Sequence, residues 1–282
     1  MTSLEQLSFD NKGMIVITKM KYPKYLKILF GIALKELQEV SLNINDEKMY
    51  ISELSQISAC GIAIDLLKSN FVSYECKHPI NAKMNVPSLN KIFKQINDYE
   101  LITLYASITD NRHIFGIMVE NEKESETRNY SIDMLESEDK DDIEVPELQY
   151  RIHMPSQSLK SIMESLKTVD GEVGRLTFNK QYNTLEFYTK GKNGSFTVKR
   201  YGSNTKDSFD VECGENTNLY DNIILYFKIQ KAIDFTKCYN LSKIVTLGIT
   251  HDHDYIVLEY DIVDMGIARF LIGTEYPPSD WS

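Results

Sequence analysis

Residues Tyr130–Pro155 read YSIDMLESEDKDDIEVPELQYRIHMP and divide the chain into two halves of similar size. Tyr130, Ile132 and Met134 alternate as in a half-buried strand. The acidic run that follows (Glu136, Glu138, Asp139, Asp141, Asp142) has no apolar periodicity, cannot bury itself, and reads as a solvated connector. Ile143-Glu144-Val145-Pro146 is different. Two β-branched residues on one side of an extended segment that ends in proline must pack on something. This apolar hook is either a strap tied to its own domain or the rim of a docking site. A new strand, Leu148–Met154, opens the second half.

Outward from the connector, both halves follow one grammar. In the first, a strand at Met14–Met20 precedes a helix over Lys24–Gln38 with the stripe Leu26, Leu29, Phe30, Ala33 and Leu37. Strands follow at Glu39–Ile44, Met49–Leu54, Cys60–Leu66, Asn70–Cys76 and Asn81–Val86. A second helix over Pro87–Asn97 carries Leu89, Ile92, Phe93 and Ile96, and strands at Leu101–Ser107, Ile114–Glu120 and Arg128–Met134 lead to the connector. In the second half Ser156 is the expected N-cap of a helix with the stripe Leu159, Ile162, Met163 and Leu166. Strands follow at Gly174–Asn179, Thr184–Lys190, Ser195–Tyr201, Asp207–Cys213 and Ile223–Phe227. A fourth helix over Lys228–Cys238 precedes strands at Ile244–Thr250, Tyr255–Ile262 and Gly266–Ile272. The tail from Gly273, with Pro277-Pro278, is expected to be loosely held. Each half thus has about nine strands and two short helices, with expected boundaries at 1–134, a connector at 135–147, and 148–282.

Composition excludes several classes. The chain is 42% hydrophobic and 26% charged over 282 residues, ordinary for a globular protein. No apolar run approaches the roughly 18 residues of a membrane helix, and Met1–Gly13 is polar, so the expectation is a protein that stays inside the cell. Cys60, Cys76, Cys213 and Cys238 form no CxxC, and the first three sit at strand ends, where buried free thiols are expected. The net charge of −10 argues against indiscriminate binding to nucleic acid, so the placement of lysines matters more than their sum.

That placement is uneven. Each helix is too short to persist alone in water and must lay its apolar stripe on a sheet, leaving the opposite face exposed. Those faces hold Lys24, Lys27, Lys35, Lys91, Lys94, Lys160, Lys167, Lys228, Lys231 and Lys237, against chiefly Glu36, Glu164 and Asp234. Lysine is a good helix former on any solvated face, but glutamate is as good and is scarce here. A phosphate-facing surface and a plain solvated one both remain open. Lysine without base-reading side chains beside it contacts the backbone without reading sequence.

At these residues the chain resembles a known family. Glu75–Lys94, ECKHPINAKMNVPSLNKIFK, is similar to the DNA-proximal signature of the proliferating cell nuclear antigen (PCNA) family of sliding clamps, in its Cys, its Asn-hydrophobic turn and its Ser-x-x-Lys-Ile-x-Lys core. Leu258–Gly266, LEYDIVDMG, resembles the family's late strand and turn. Val145-Pro146-Glu147 with Tyr150, and Met154-Pro155-Ser156, resemble its interdomain crossover, and Phe235-Thr236-Lys237 its fourth helix.

The resemblance implies an α+β DNA-clamp fold of two similar domains, assembling into a ring, usually of three subunits, around duplex DNA. Helices would line the hole and sheets the outer shell. It implies a clamp that does no chemistry and needs no cofactor or metal. Its partners would be duplex DNA without regard to sequence, a DNA polymerase, a clamp loader, other proteins with PCNA-binding peptides, and further copies of itself, as a homotrimer; no membrane is implied. The nucleus or another site of DNA replication, a cytoplasmic viral factory included, is the implied location. Lys27, Lys91, Lys94 and Lys237 match basic family positions facing DNA, and Lys24, Lys35, Lys160, Lys167 and Lys231 share their helix faces. Leu54, Ile143, Val145 and Tyr255 fall where the family lines its partner-peptide pocket, with Gly273 at the rim. Tyr130 and the strand with Phe196 and Val198 fall at the subunit interface, with Met163 and Leu166 beneath.

There are departures: Glu164 stands where the family has a basic residue, Gly273-Thr274-Glu275 replaces a small-Pro-basic rim, the connector is longer and more acidic, and about fourteen residues precede the first strand. The alternative is a monomeric clamp-fold accessory subunit of a polymerase or transcription complex that does not encircle DNA. His251-Asp252-His253-Asp254 lacks a third metal ligand at a telling spacing and reads as a hairpin turn. Gly191-Lys192-Asn193-Gly194 lacks the spacing and the following helix of a phosphate loop and reads the same way.

Overall fold

Strict alternation sets the sheets. Leu148, Tyr150, Ile152 and Met154 are buried, while the residues between them are half-exposed, as a sheet with one packed face requires. The computed structural model describes residues 14–55, 59–109, 112–136, 142–203, 208–214, 217–218 and 220–281. Glu138, Asp139 and Asp141 of the acidic run, Asp207 at the expected start of a strand, and the segment before Met14 lie outside the described residues.

The first half runs β1 (Met14–Met20), α1 (Pro23–Glu36), β2 (Glu39–Ile44), β3 (Lys48–Ser55), β4 (Cys60–Leu67), β5 (Ser73–Cys76), β6 (Ile80–Asn85), α2 (Val86–Lys94), β7 (Leu101–Thr109), β8 (Arg112–Asn121) and β9 (Glu126–Asp133). The second runs β10 (Leu148–Pro155), α3 (Ser156–Leu166), β11 (Val173–Asn179), β12 (Thr184–Gly191), β13 (Gly194–Tyr201), β14 (Asp210–Cys213), β15 (Asn222–Lys228), α4 (Ile229–Thr236), β16 (Ile244–Thr250), β17 (Tyr255–Ile262) and β18 (Gly266–Gly273). Both expected hairpin turns are present, at 191–194 between β12 and β13 and at 251–254 between β16 and β17.

The strands form three antiparallel sheets. A five-stranded sheet, β5-β1-β7-β8-β9, belongs to the first half, and a four-stranded sheet, β13-β12-β11-β15, to the second. A nine-stranded sheet, β14-β10-β16-β17-β18-β4-β3-β2-β6, runs through both. Its seam is the β18–β4 pair, in register from Gly266↔Leu66 to Ile272↔Cys60. Gly266 has φ +145°, and a Cβ there would lie 1.8 Å from the Asp65 carbonyl oxygen, so the chain crosses this point only as glycine. Arg269 bridges the seam, its Nε 2.7 Å from Glu259 Oε2 and its Nη1 3.3 Å from Asp65 Oδ2.

The helices sit as the stripes dictate. Pro23 opens α1, whose Leu26, Leu29, Phe30 and Ala33 are buried. The Asn85 side chain caps α2 by accepting from the Ser88 N–H at 3.0 Å. Phe30 and Phe93 join these two helices with ring centroids 5.0 Å apart. In the second half Met163 and Ala232 from the helices meet Leu176, Phe187 and Phe227 of the four-stranded sheet and Leu258 of the nine-stranded one.

Four expectations need correction. Ser156 is not the N-cap of α3; Pro155 holds that position, and the Ser156 hydroxyl is buried with no hydrogen-bond partner among the described residues. The strand expected from Asn70 begins at Ser73, because Lys68–Asn70 forms a 3₁₀ turn. Cys213 is exposed and Cys76 half-exposed, although Cys60 and Cys238 are buried. The tail is not loose. Glu275 N–H donates to the Tyr226 carbonyl at 2.8 Å, and Trp281 packs edge-on against Tyr188 and Tyr226, with centroids 5.0 and 5.9 Å away. Proline stiffness and one tryptophan bring the chain back onto the four-stranded sheet, which a reading of local composition misses.

Candidate functional site

The helices form one row. α1 packs beside α2 and α3 beside α4, and α1 meets α4 at the junction between the halves. There Lys231 Nζ lies 2.5 Å from the buried Glu36 carboxylate. The row therefore runs α2-α1-α4-α3, with its apolar stripes turned into the core.

The nine lysines expected on the exposed face are all in this row or at its ends, but they are not equivalent. Lys27 donates to the Ile96 carbonyl and to Asp98, both at 2.9 Å. Lys160 lies 3.5 Å from Glu164 and 4.3 Å from the Tyr239 ring centroid. Lys167 donates to Gln230, tying α3 to α4. Lys237 pairs with Asp234. Burial pushes the Asp234 carboxyl up, but the bonds from Lys237 and Gln230 outweigh it and hold it below its ordinary value. Lys24, Lys35, Lys91 and Lys94 are exposed and make no ion pair among the described residues; Lys24 lies over the Tyr25 ring at 5.0 Å. The uncommitted positive charge thus concentrates on α1 and α2.

A second feature is a pair of open sheet edges. β9 ends the five-stranded sheet and β13 ends the four-stranded one. Each is eight residues long with the same alternating exposure. Tyr130, Phe196 and Val198 are half-buried and pack on the core side. Met163 and Leu166, in contrast, are buried in α3, which packs against β13, so they support that strand from beneath and present no surface of their own. Two arginines not singled out in the sequence fasten the edges. Arg128 reaches from β9 to the buried Glu100 carboxylate and to the Gln95 carbonyl at the end of α2. Arg200 donates from β13 to Ser158 of α3 at 2.9 Å. Their partners lie 28 and 42 residues away, too far for any local pattern to reveal.

The third feature is the hook. The Ile143 N–H donates to Ser52 Oγ of β3 at 2.6 Å. Ile143 and Tyr255 pack on a small cluster of Leu148, Val257 and Leu271, apart from the main core. Leu54 is 50% exposed, and a Cβ placed on Gly61 would lie 3.3 Å from both Leu54 and Leu271, so the missing side chain lets those two approach. Leu54, Ile143 and Tyr255 therefore gather around Leu271, while Val145 stands half-buried further along the connector. At the rim, successive N–H groups of Gly273, Thr274 and Glu275 donate to carbonyls of Ala59, Asp254 and Tyr226. The hook is strapped down and yet leaves an apolar, partly exposed surface.

Among the described residues no group of three or more His, Cys, Asp or Glu side chains is arranged to hold a metal ion. His253 Nε2 lies 3.0 Å from Gln149 Oε1. No helix among the described residues is long and apolar enough to cross a membrane.

Comparison with known proteins agrees with the resemblance. Residues 16–142 match the family described as proliferating cell nuclear antigen, N-terminal domain, and residues 143–275 match proliferating cell nuclear antigen, C-terminal domain. The chain is also similar to a proliferating cell nuclear antigen from Chaetomium thermophilum, 22% identical over 245 residues, which cover 85% of this chain and 90% of that protein.

Proposed function

This chain belongs to the proliferating cell nuclear antigen family, and from that premise we propose that it is a DNA sliding clamp: a ring of identical subunits, three by family analogy, that encircles duplex DNA and tethers replication and repair proteins to it. The observation that carries the reading is the joint placement of two features on one subunit. A row of helices gathers the lysines of an otherwise acidic protein. Two open strands end different sheets, one in each half. A surface built that way can close on itself by adding β9 of one copy to β13 of the next, which removes edges that are a liability in a monomer.

The row of helices would then line the hole. Its lysines would contact phosphates and leave base edges unread, which suits a protein that must move along any sequence. The two domains would meet at the connector, residues 135–147, and the clamp would work where DNA is replicated. Leu54, Ile143, Val145 and Tyr255, with Gly273 at the rim, would receive a short partner peptide from a polymerase, a clamp loader or a repair protein. The rim amides are already bonded within the chain, so recognition would rest on the apolar pocket more than on main-chain pairing.

Static light scattering on the eluting protein tests assembly. The expected mass is about three times the 32.6 kDa of one chain. Tyr130→Ala is expected to shift the ring toward monomer. A native protein that elutes as one chain at all concentrations would refute the ring and favour an accessory subunit that does not encircle DNA.

A further inference from the structure

The two open edges carry opposite charge. Between Glu122 and Glu136, the β9 strand and its flanks hold five acids (Glu122, Glu124, Glu126, Asp133, Glu136), all exposed. The two bases there are engaged within the subunit, Lys123 over the Tyr99 ring and Arg128 on buried Glu100 and, at 3.5 Å, on Glu126 of the same strand, which leaves four of the five acids without an ion pair to either base. Between Lys190 and Tyr201, β13 and its turn hold Lys190, Lys192, Lys199 and Arg200 and no acid. Lys192 and Lys199 are exposed.

The distribution along each strand matters as much as the sum. Acids flank β9 at both ends, and bases flank β13 at both ends. In antiparallel alignment, the direction of every strand pairing described in this fold, Glu124 and Glu126 come to the Lys199–Arg200 end, and Asp133 and Glu136 to the Lys190–Lys192 end. Pairing β9 with a second β9 instead sets acid on acid at both ends. Pairing β13 with β13 sets base on base. Like charges across a strand pair are destabilising and opposite charges stabilising.

We infer that this charge segregation selects the partner edge: β9 of one copy takes only β13 of another, and two-fold pairing of like edges is disfavoured. The inference rests on the ring reading above and adds what specifies it. A contact between unlike edges leaves one open edge of each kind, so it propagates until the chain of subunits closes. A two-fold contact would stop at a dimer. Because the charges are exposed, the selection weakens as salt screens them.

Charge reversal tests this on the full-length protein. Glu126→Lys with Asp133→Lys brings lysine to face the bases of β13 at both ends of the pairing. Lys192→Glu with Lys199→Glu brings glutamate to face the acids of β9 at both ends of the pairing. Each pair of substitutions alone is expected to weaken self-association at least tenfold in sedimentation velocity at low salt. All four together set opposite charges at the substituted positions of both ends again and are expected to restore the ring, and mixing the two double variants is expected to produce assemblies containing both. A ring unchanged by either double variant would overturn the inference while leaving the clamp reading intact. A folded quadruple variant that stays monomeric would overturn it too. A native chain that is monomeric throughout would instead remove the ring on which the inference rests. If a variant fails to fold, the native protein still decides: its association should fall about tenfold or more between low and high salt, and salt-independent association would count against charge selection.

Discussion

Replacing Lys91 and Lys94 by alanine isolates the part of the helix row that is free to meet DNA. Both side chains are exposed on α2 and make no ion pair among the described residues. Their neighbours Ile92 and Phe93 face inward or sit half-buried, so the substitutions leave the stripe intact. Each phosphate contact contributes about −0.9 to the slope of log affinity against log salt. Loss of two contacts per engaged subunit should therefore flatten the slope by about 1.8, a difference of about tenfold in affinity loss over a fourfold change in salt. Fluorescence anisotropy of a labelled duplex at several salt concentrations reads this directly, and the thermal midpoint should not move. Lys231→Ala is the contrasting perturbation. It removes the cation facing the buried Glu36 carboxylate. Its main effect should be a loss of about 1–3 kcal/mol of stability, as for a buried polar group deprived of a partner, with little change in the slope. An unchanged slope for Lys91→Ala with Lys94→Ala, or a larger slope change for Lys231→Ala, would refute the argument that uncommitted lysines on α1 and α2 carry the contact.

Three further outcomes follow. Ile143→Ala or Leu54→Ser should weaken a PCNA-binding peptide more than tenfold in calorimetric titration, about 1.4 kcal/mol, with assembly spared; equal affinity with a lowered melting temperature would make the hook a strap only. Trp281→Ala removes two edge-on contacts to Tyr188 and Tyr226 and should cost about 1–3 kcal/mol in chemical denaturation, whereas no loss would show the tail to be a passenger. The Asp221 carboxyl is held below its ordinary value first by the Tyr150 hydroxyl, which donates to it, against a smaller upward push from burial, with help from the Asn218 N–H. A depressed folded value contributes stability above the unfolded pKa of about 3.9 and loses it as pH falls through the folded value. Asp221→Asn should therefore flatten the acid limb of the stability profile, and an unaltered limb would place acid sensitivity elsewhere.

The sequence made legible what alternation and helical period govern. β1, β2, β16 and β17 have the expected bounds: in β2 the inward residues Val40, Leu42 and Ile44 alternate without interruption, whereas β16, buried from Val245 to Thr250, and β17 stand out as short apolar runs bounded by turns. The stripes of α1 and α3 point inward as read. Contacts between distant segments were not legible. The Lys231–Glu36 pair spans 195 residues, and the Arg269–Asp65 pair that crosses the seam spans 204. Neither leaves a local trace, so a face read as uniformly basic proves uneven once its lysines find acids. Ser156 misled for a related reason: proline before a helix takes the extended geometry of a cap without a side-chain bond, and the serine was drawn inward. The hook was visible as apolar residues in a polar run, but only the Ser52 hydroxyl shows how it is tied down.

The central claim is that this chain surrounds DNA, and retention on closed DNA tests it most directly. The protein would be loaded onto nicked circular plasmid with a clamp loader, separated from free protein by gel filtration, and then challenged by linearising the plasmid with a restriction enzyme. The account predicts that protein stays with the circle at moderate salt, leaves when the circle is cut, and is held again when bulky complexes block both ends. Protein that stays bound equally to circular and open linear DNA, or that never co-elutes with the circle, would contradict it.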